Sequence, residues 1–295
     1  MKLAARYALV AGLAAAAGPV FADAYSTASF GNVTVTLIDL DPNDGIAASI
    51  SFLPNTTKFD GGAYIHGEAE DGIIGGYDPG HQLQRFDKSG AWQSTNVSGN
   101  AHTGLSSAAA SVTGSASGVG FTALSVSGKA LSGLDDHGNY YSYASVPFNN
   151  VDNRGFVLSA NTKVVFSVDA AMSATMTRGY TAGALEGESA SALMSLYAGG
   201  LAADGSMLDD LQQHGVGVQY FDGGPLGGAT DSWAGVMSAS YSNLTNHSSQ
   251  GQFWADAQVG GHSVMAAVPE PETYAMLLGG LGLLGGLARR RNRTV

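Results

Sequence analysis

The 295-residue chain has no cysteine. Disulfides, thiol nucleophiles and cysteine-based metal sites are therefore excluded, and any fold must be held by packing alone or with bound ions. Cations are scarce too, with 13 Lys and Arg against 24 Asp and Glu. Six of those cations, Lys2, Arg6, Arg289, Arg290, Arg291 and Arg293, lie in the two terminal segments. Residues 25–268 are left with seven cations against 21 acids, a net charge of −14. Such a surface repels nucleic acid and anionic lipid, and it favours solubility and the company of cations or neutral glycans. Nucleic acid is thus the least suitable partner. Long helix formers are few, whereas glycine is abundant at 42 residues, a balance that favours strands and turns over helical bundles.

Patterning supports that reading. In residues 30–40, Val33, Val35 and Leu37 alternate with threonines, as in a half-buried strand. The turn Asp41-Pro42-Asn43-Asp44-Gly45 follows, and Ile46, Ala48, Ile50 and Phe52 resume the alternation, which predicts an opening hairpin. Residues 56–100 read as short strands joined by long loops. Residues 103–132 alternate small side chains around Val112, Ala116, Phe121 and Leu124, giving thin strands or a low-complexity linker. Further strands are expected at 140–148, at 161–177 with Val164, Phe166, Val168 and Ala170 on one face, and at 189–203, where both faces look buried. A strand at 232–244 and a closing strand or hairpin at 250–265 complete the set. About ten strands at this spacing predict one all-β domain over residues 25–266, a β-sandwich of jelly-roll-like type.

The ends are built differently. Lys2 and Arg6 precede an apolar stretch at 7–17, then Gly18-Pro19 and small residues, the three-part layout of a secretory signal peptide over residues 1–24. The best small-x-small cleavage match is Ala22-Asp23-Ala24, cut after Ala24, with Val20-Phe21-Ala22 as the alternative. The apolar stretch falls short of the roughly 20 residues that span a bilayer.

At the other end Pro269-Glu270-Pro271 is followed by an apolar segment, 274–288, and then by Arg289, Arg290, Arg291 and Arg293. The prolines disfavour helix and hold the motif extended, the apolar segment partitions into lipid, and the arginines keep the terminus on the cytoplasmic side. As a helix the segment spans about 22 Å, short of a roughly 30 Å hydrocarbon core, which suits temporary anchoring. In order and composition residues 268–293 resemble the PEP-CTERM sorting signal of Gram-negative bacteria. The resemblance implies recognition by exosortase, cleavage near the motif, transient residence in the inner membrane after passage through the secretion machinery, and a setting of exopolysaccharide and biofilm matrix.

Within the body, Asp39, Asp41, Asn43 and Asp44 are candidate calcium ligands, because clustered carboxylates on a tight turn suit a hard cation. The pattern departs from an EF-hand, with its glycine one place late and Ile50 where the bidentate Glu belongs, and a plain Asx turn accounts for the same residues. Two further acidic clusters, Glu68-Ala69-Glu70-Asp71 and Asp135-Asp136-His137, read as solvated loops. The seven histidines form no zinc spacing, and no G-x-S-x-G elbow places a nucleophile. Trp92, Trp233 and Trp254 suit either a core or a sugar-stacking surface. The expectation is an exported, non-enzymatic surface or matrix protein with no required cofactor. A carbohydrate-binding module is the alternative, and a glycoside hydrolase a more distant one.

Overall fold

The structure, a computed structural model, describes residues 23–53, 96–115, 119–133, 137–146, 155–177, 187–219 and 227–264. It describes the backbone alone at 56–67, 83–91, 136, 147 and 148, and the single positions 280, 281 and 284. The described strands are β1 (Asp23–Asp39), β2 (Ile50–Phe52), β3 (Thr56–Gly67), β4 (Leu83–Ala91), β5 (Val97–His102), β6 (Ser106–Gly114), β7 (Phe121–Leu131), β8 (Asp136–Phe148), β9 (Phe156–Leu158), β10 (Thr162–Met176), β11 (Ser189–Leu201), β12 (Met207–Gln219), β13 (Ala229–Asn243) and β14 (Ser249–His262). They form two antiparallel sheets packed as a β-sandwich. The first runs β13-β10-β1-β7-β6-β5. The second runs β12-β11-β14-β8-β3-β4, with β9 pairing β14 and β2 pairing β9.

Alternation decides which way each strand faces. In β10 the residues Val164, Phe166, Val168, Ala170, Met172 and Ala174 are buried, as the spacing predicts, and the intervening positions look outward. β1 starts with even residues inward, through Ala24, Ala28 and Phe30, and ends with Val33, Val35 and Leu37 half-buried on the same side. A bulge between Gly31 and Thr34 inserts the extra residue that reverses parity. It is formed around Asn32, which adopts φ 50° and donates from Nδ2 to Asp169 at 2.6 Å.

The hairpin expected across residues 30–53 does not form. β10 pairs with β1 from Ala24 to Asp39 and β7 with Asp23–Phe30 alone, while the chain leaving the acidic turn crosses to the second sheet, where residues 50–52 pair with β9. Ile46, expected inside, is exposed. The small-residue stretch forms strands β6 and β7, with Val112, Phe121 and Leu124 buried; Ala116 lies outside the described residues.

The core joins the sheets through aromatic rings. Phe253 of the second sheet meets Phe166 of the first at 4.3 Å between centroids, and Phe156 extends the contact to Phe166 at 5.6 Å and Tyr241 at 6.1 Å. Tyr140 crosses the interior to place its hydroxyl 2.6 Å from Ser26 Oγ, both buried. Its ring lies over Gly128, where a Cβ would stand 1.9 Å from the ring. Small side chains around the rings, such as Ala174, Ala239, Ala255 and Ala257, let the sheets close to native density.

One lateral seam is closed by side chains. Edge strands β12 and β13 meet where Asp210 accepts from the Ser240 backbone N–H at 2.8 Å and Asp231 accepts from the Gly217 N–H at 3.1 Å. His214 stacks on Trp233 at 4.0 Å across the same seam. Carboxylates that occupy free edge N–H groups prevent another strand from pairing there. Both chain ends leave the sandwich at the same pole: Asp23 pairs with Leu131, and Ser263 donates to the Gly138 carbonyl just beyond the short β7–β8 connection.

Because no covalent link joins the sheets, removing a ring from the central cluster is expected to be costly. Phe253→Ala should lower unfolding free energy by about 3–5 kcal/mol in urea denaturation. A loss below about 1 kcal/mol would show that the sheets do not depend on this contact.

Candidate functional site

The outward face of the second sheet carries its chemistry. Directly opposed residues in an antiparallel ladder share a face. Register therefore sets Trp254 beside Tyr197, Asp256 between Ser195 and Ser145, and Gln258 beside Tyr143. Along β14 the sequence Gln252-Phe253-Trp254-Ala255-Asp256-Ala257-Gln258 thus sends Phe253, Ala255 and Ala257 into the core and the four larger polar or amphipathic groups outward.

Tyr197 and Trp254 stack with centroids 5.1 Å apart and planes 5° from parallel. Tyr197 lies across Gly199, where an added Cβ would meet the phenol oxygen at 2.3 Å, and it donates to Asp209 Oδ1 at 2.5 Å. Burial, then the Asp209 hydrogen bond and charge, raise its phenol well above the ordinary tyrosine value. Asp256 sits half-buried in the middle of the face. Tyr143 donates to its Oδ1 at 3.3 Å, and the Ser145 hydroxyl is also hydrogen-bonded to it. Desolvation outweighs those two bonds and pushes the carboxyl up to about 6. Tyr143 is raised in turn, by burial first and then by the Asp256 charge. The register places Lys58 of β3 opposite Ser145, one strand further on.

The acidic turn forms a chain of local caps. Asp39 Oδ1 accepts from the Asp41 N–H at 3.0 Å, Asp41 Oδ1 from the Asn43 N–H at 3.2 Å, and Asp44 Oδ1 from the Ile46 N–H at 2.7 Å. Asp44 Oδ2 accepts from Asn161 Nδ2 at 2.8 Å, so both its oxygens are engaged; these bonds, Asn161's first, hold its carboxyl below the usual range. Asn161 has φ 45°, and its backbone N–H and C=O bond to Thr245 and Leu40, which locks the turn to the start of β10. Asn43 contributes its backbone N–H to this arrangement. Among the described residues no group of three or more His, Asp or Glu converges as metal ligands would.

Other expected positions are spread out. Trp233 serves the β12–β13 seam, and Trp254 stands on the outward face; Trp92 lies outside the described side chains. Ser189 and His262 come together across β11 and β14, with Oγ 2.9 Å from Nδ1, and His262 Nε2 lies 2.6 Å from the Gly187 carbonyl. That carbonyl fixes the tautomer with the proton on Nε2, but it supplies no carboxylate to stabilise an imidazolium. Asn243 is buried and donates to the Ser159 and His247 carbonyls. Ala24 is fully buried in β1. Ala22, the clusters at 68–71 and 135, Pro269, Glu270, Pro271, Arg289, Arg290, Arg291 and Arg293 lie outside the described residues. Of segment 274–288 only positions 280, 281 and 284 are described, and they are helical. Among the described residues no helix is long and apolar enough to cross a membrane.

The outward face was only partly legible in the sequence. Trp254 was visible as a residue type, but Tyr143, Tyr197 and Asp256 become neighbours only through pairing of three strands distant in sequence. The one available signal was the QxWxDxQ alternation of β14.

Two expectations follow. The folded state holds the Asp256 proton to higher pH than the unfolded chain, whose ordinary carboxyl titrates near 4. Folding therefore loses stability as pH rises from about 4 to about 6. Asp256→Asn should raise stability at pH 7.5 by an amount of order 2 kcal/mol. It should also flatten that part of the pH profile in denaturant melts, and equal wild-type and variant profiles would refute the assignment. For the acidic turn, millimolar calcium is expected to leave the melting temperatures of wild type and Asp41→Ala unchanged. A calcium-dependent rise in wild type alone would establish an ion site there.

No curated protein matches the chain. The family model described as the PEP-CTERM protein-sorting motif matches residues 267–292, directly behind the last strand and its buried Val264. The chain is thus an exported protein that carries the PEP-CTERM sorting motif, the mark of an exosortase-processed, membrane-transiting and then surface-associated protein.

Proposed function

We propose that this chain is a non-enzymatic protein of the cell surface or exopolysaccharide matrix of a Gram-negative bacterium. Its ends are delivery segments, and its working part is the jelly-roll-like sandwich between them. The sorting motif at 267–292 carries the reading. Segment 274–288 serves as a brief inner-membrane anchor, with Arg289, Arg290, Arg291 and Arg293 as its cytoplasmic stop. Successive strands that alternate between sheets, as at β7–β8, β9–β10, β10–β11, β12–β13 and β13–β14, support the jelly-roll comparison. The non-enzymatic reading is supported by carboxylate spacing among the described side chains of the outward face. Asp209 and Asp256 are two strands apart and four residues out of register, about 16 Å by ladder geometry, beyond the roughly 5–9.5 Å that glycoside hydrolysis uses.

The polarity of the body fits removal of both ends. Asp23 and Ser263 leave from one pole, so export and sorting segments depart together and the sandwich is undisturbed when they are cut. The local bonding favours cleavage after Ala22 over Ala24. The Asp23 N–H donates to Thr177 Oγ1 at 2.8 Å, its carbonyl accepts from the Thr177 N–H at 3.0 Å, and its carboxylate accepts from the Tyr25 hydroxyl at 2.6 Å. A cut after Ala24 would strip these bonds and a buried side chain from β1.

Mass spectrometry of the exported protein is expected to find Asp23 at the N-terminus and a C-terminus between Pro269 and Thr273. Recovery of a surface form with intact Arg293 would overturn the processing reading, and an N-terminus at Tyr25 would overturn the choice of Ala22.

A further inference from the structure

The outward strip centred on β14 combines two kinds of surface. Trp254 and Tyr143 are offset by four residues of ladder, about 14 Å between their backbone positions along the strand direction, and Tyr143 reaches with its hydroxyl to Asp256 between them. Between and beyond them stand Gln252, Asp256 and Gln258. Amide side chains both donate and accept, and a carboxylate accepts. This mixture matches hydroxyl groups, which also do both. An anionic ligand would need donors and positive charge, whereas β8, β11, β12 and β14 contain no Lys or Arg, and Lys58 of β3, opposite Ser145, has Asp60 two residues along on the same face, opposite Tyr143. A simple cation would use the acceptors but leave the amide donors idle.

The support beneath is firm. Tyr197 backs Trp254 in a parallel stack and is itself tied to Asp209, so the indole is held in place before any ligand arrives. Ser145 and Ser195, beside Asp256, are buried at 3% and 6% exposure, so the carboxyl stands on a closed floor. Pre-positioned groups lose little side-chain freedom on binding.

The geometry points to a binding site for a neutral polysaccharide on the strip Tyr143–Asp256–Trp254, with sugar C–H faces on the rings and sugar hydroxyls on Asp256, Gln252 and Gln258. This rests on the matrix reading above, but it is tested separately, because the terminal masses report processing and binding reports the body.

The exported protein is run in native gels containing dextran, laminarin or hydroxyethyl cellulose, with polygalacturonate as the anionic arm and glycol chitosan as the cationic arm. At least one neutral polymer is expected to retard the protein and to change its tryptophan fluorescence. Trp254→Ala should weaken that retardation at least ten-fold, and Tyr143→Ala should weaken it to a lesser degree, with thermal melts still cooperative. If Trp254→Ala fails to fold, Trp254→Phe decides: the fluorescence change must disappear although Trp92 and Trp233 remain. Retardation by none of the neutral polymers would overturn the proposal. So would retardation only by polygalacturonate or glycol chitosan, undiminished binding by Trp254→Ala, or a fluorescence change that survives Trp254→Phe.

Discussion

The contact between Phe253 and Phe166, with Phe156 and Tyr241 around it, is the link on which the sandwich depends. A secreted domain commonly fastens its sheets with disulfides; this chain has no cysteine, so inward side chains must do all of that work. Large rings can interlock only where the facing backbone is bare or nearly so. This explains glycine at 251, where a Cβ would lie 2.2 Å from the Phe156 ring, and the many alanines lining the rest of the interior. The arrangement concentrates apolar burial in a few aromatic residues.

A core made this way frees the surface for polar chemistry. Every second residue of β14 supports the core, and the others form a strip of indole, carboxyl and amides on the outside. The same alternation makes Asp256 unusual: burial desolvates it and, against the Ser145 and Tyr143 hydrogen bonds, pushes its carboxyl up to about 6. At the lateral edge, Asp210 and Asp231 do the opposite job and occupy backbone N–H groups that would otherwise invite strand pairing. An acidic body with a closed seam is well suited to remain separate from its own copies at a crowded surface.

Strand alternation in β10 could be read directly, because its buried side chains recur every second residue without interruption. Strand β12 could not. Its sequence, MLDDLQQHGVGVQ, places Asp210 and His214 on the inward side, since an edge strand at a side-chain seam needs polar groups where a central strand needs apolar ones. The predicted hairpin after β1 failed for a related reason. Turn residues fix a local reversal, but they do not say which strand the chain joins afterwards, and here β10 pairs with Thr34–Asp39 while residues 50–52 pair with β9 in the other sheet. The four acidic-turn residues were correctly found as a group, while their hydrogen bonds to local N–H groups and to Asn161 became visible only with the fold.

By itself the sequence determined the all-β class, the dependence on packing without disulfides, and the sorting motif, because composition, alternation and a short linear signal are local properties. Only the tertiary structure decided that both ends leave from one pole, that Asp23 belongs to the first strand, and that Tyr143, Tyr197, Trp254 and Asp256 share one face. Each of these depends on which strands pair and in what register, and register is fixed by the simultaneous burial of residues far apart in the chain, as in the pairing of Ala24 with Met176.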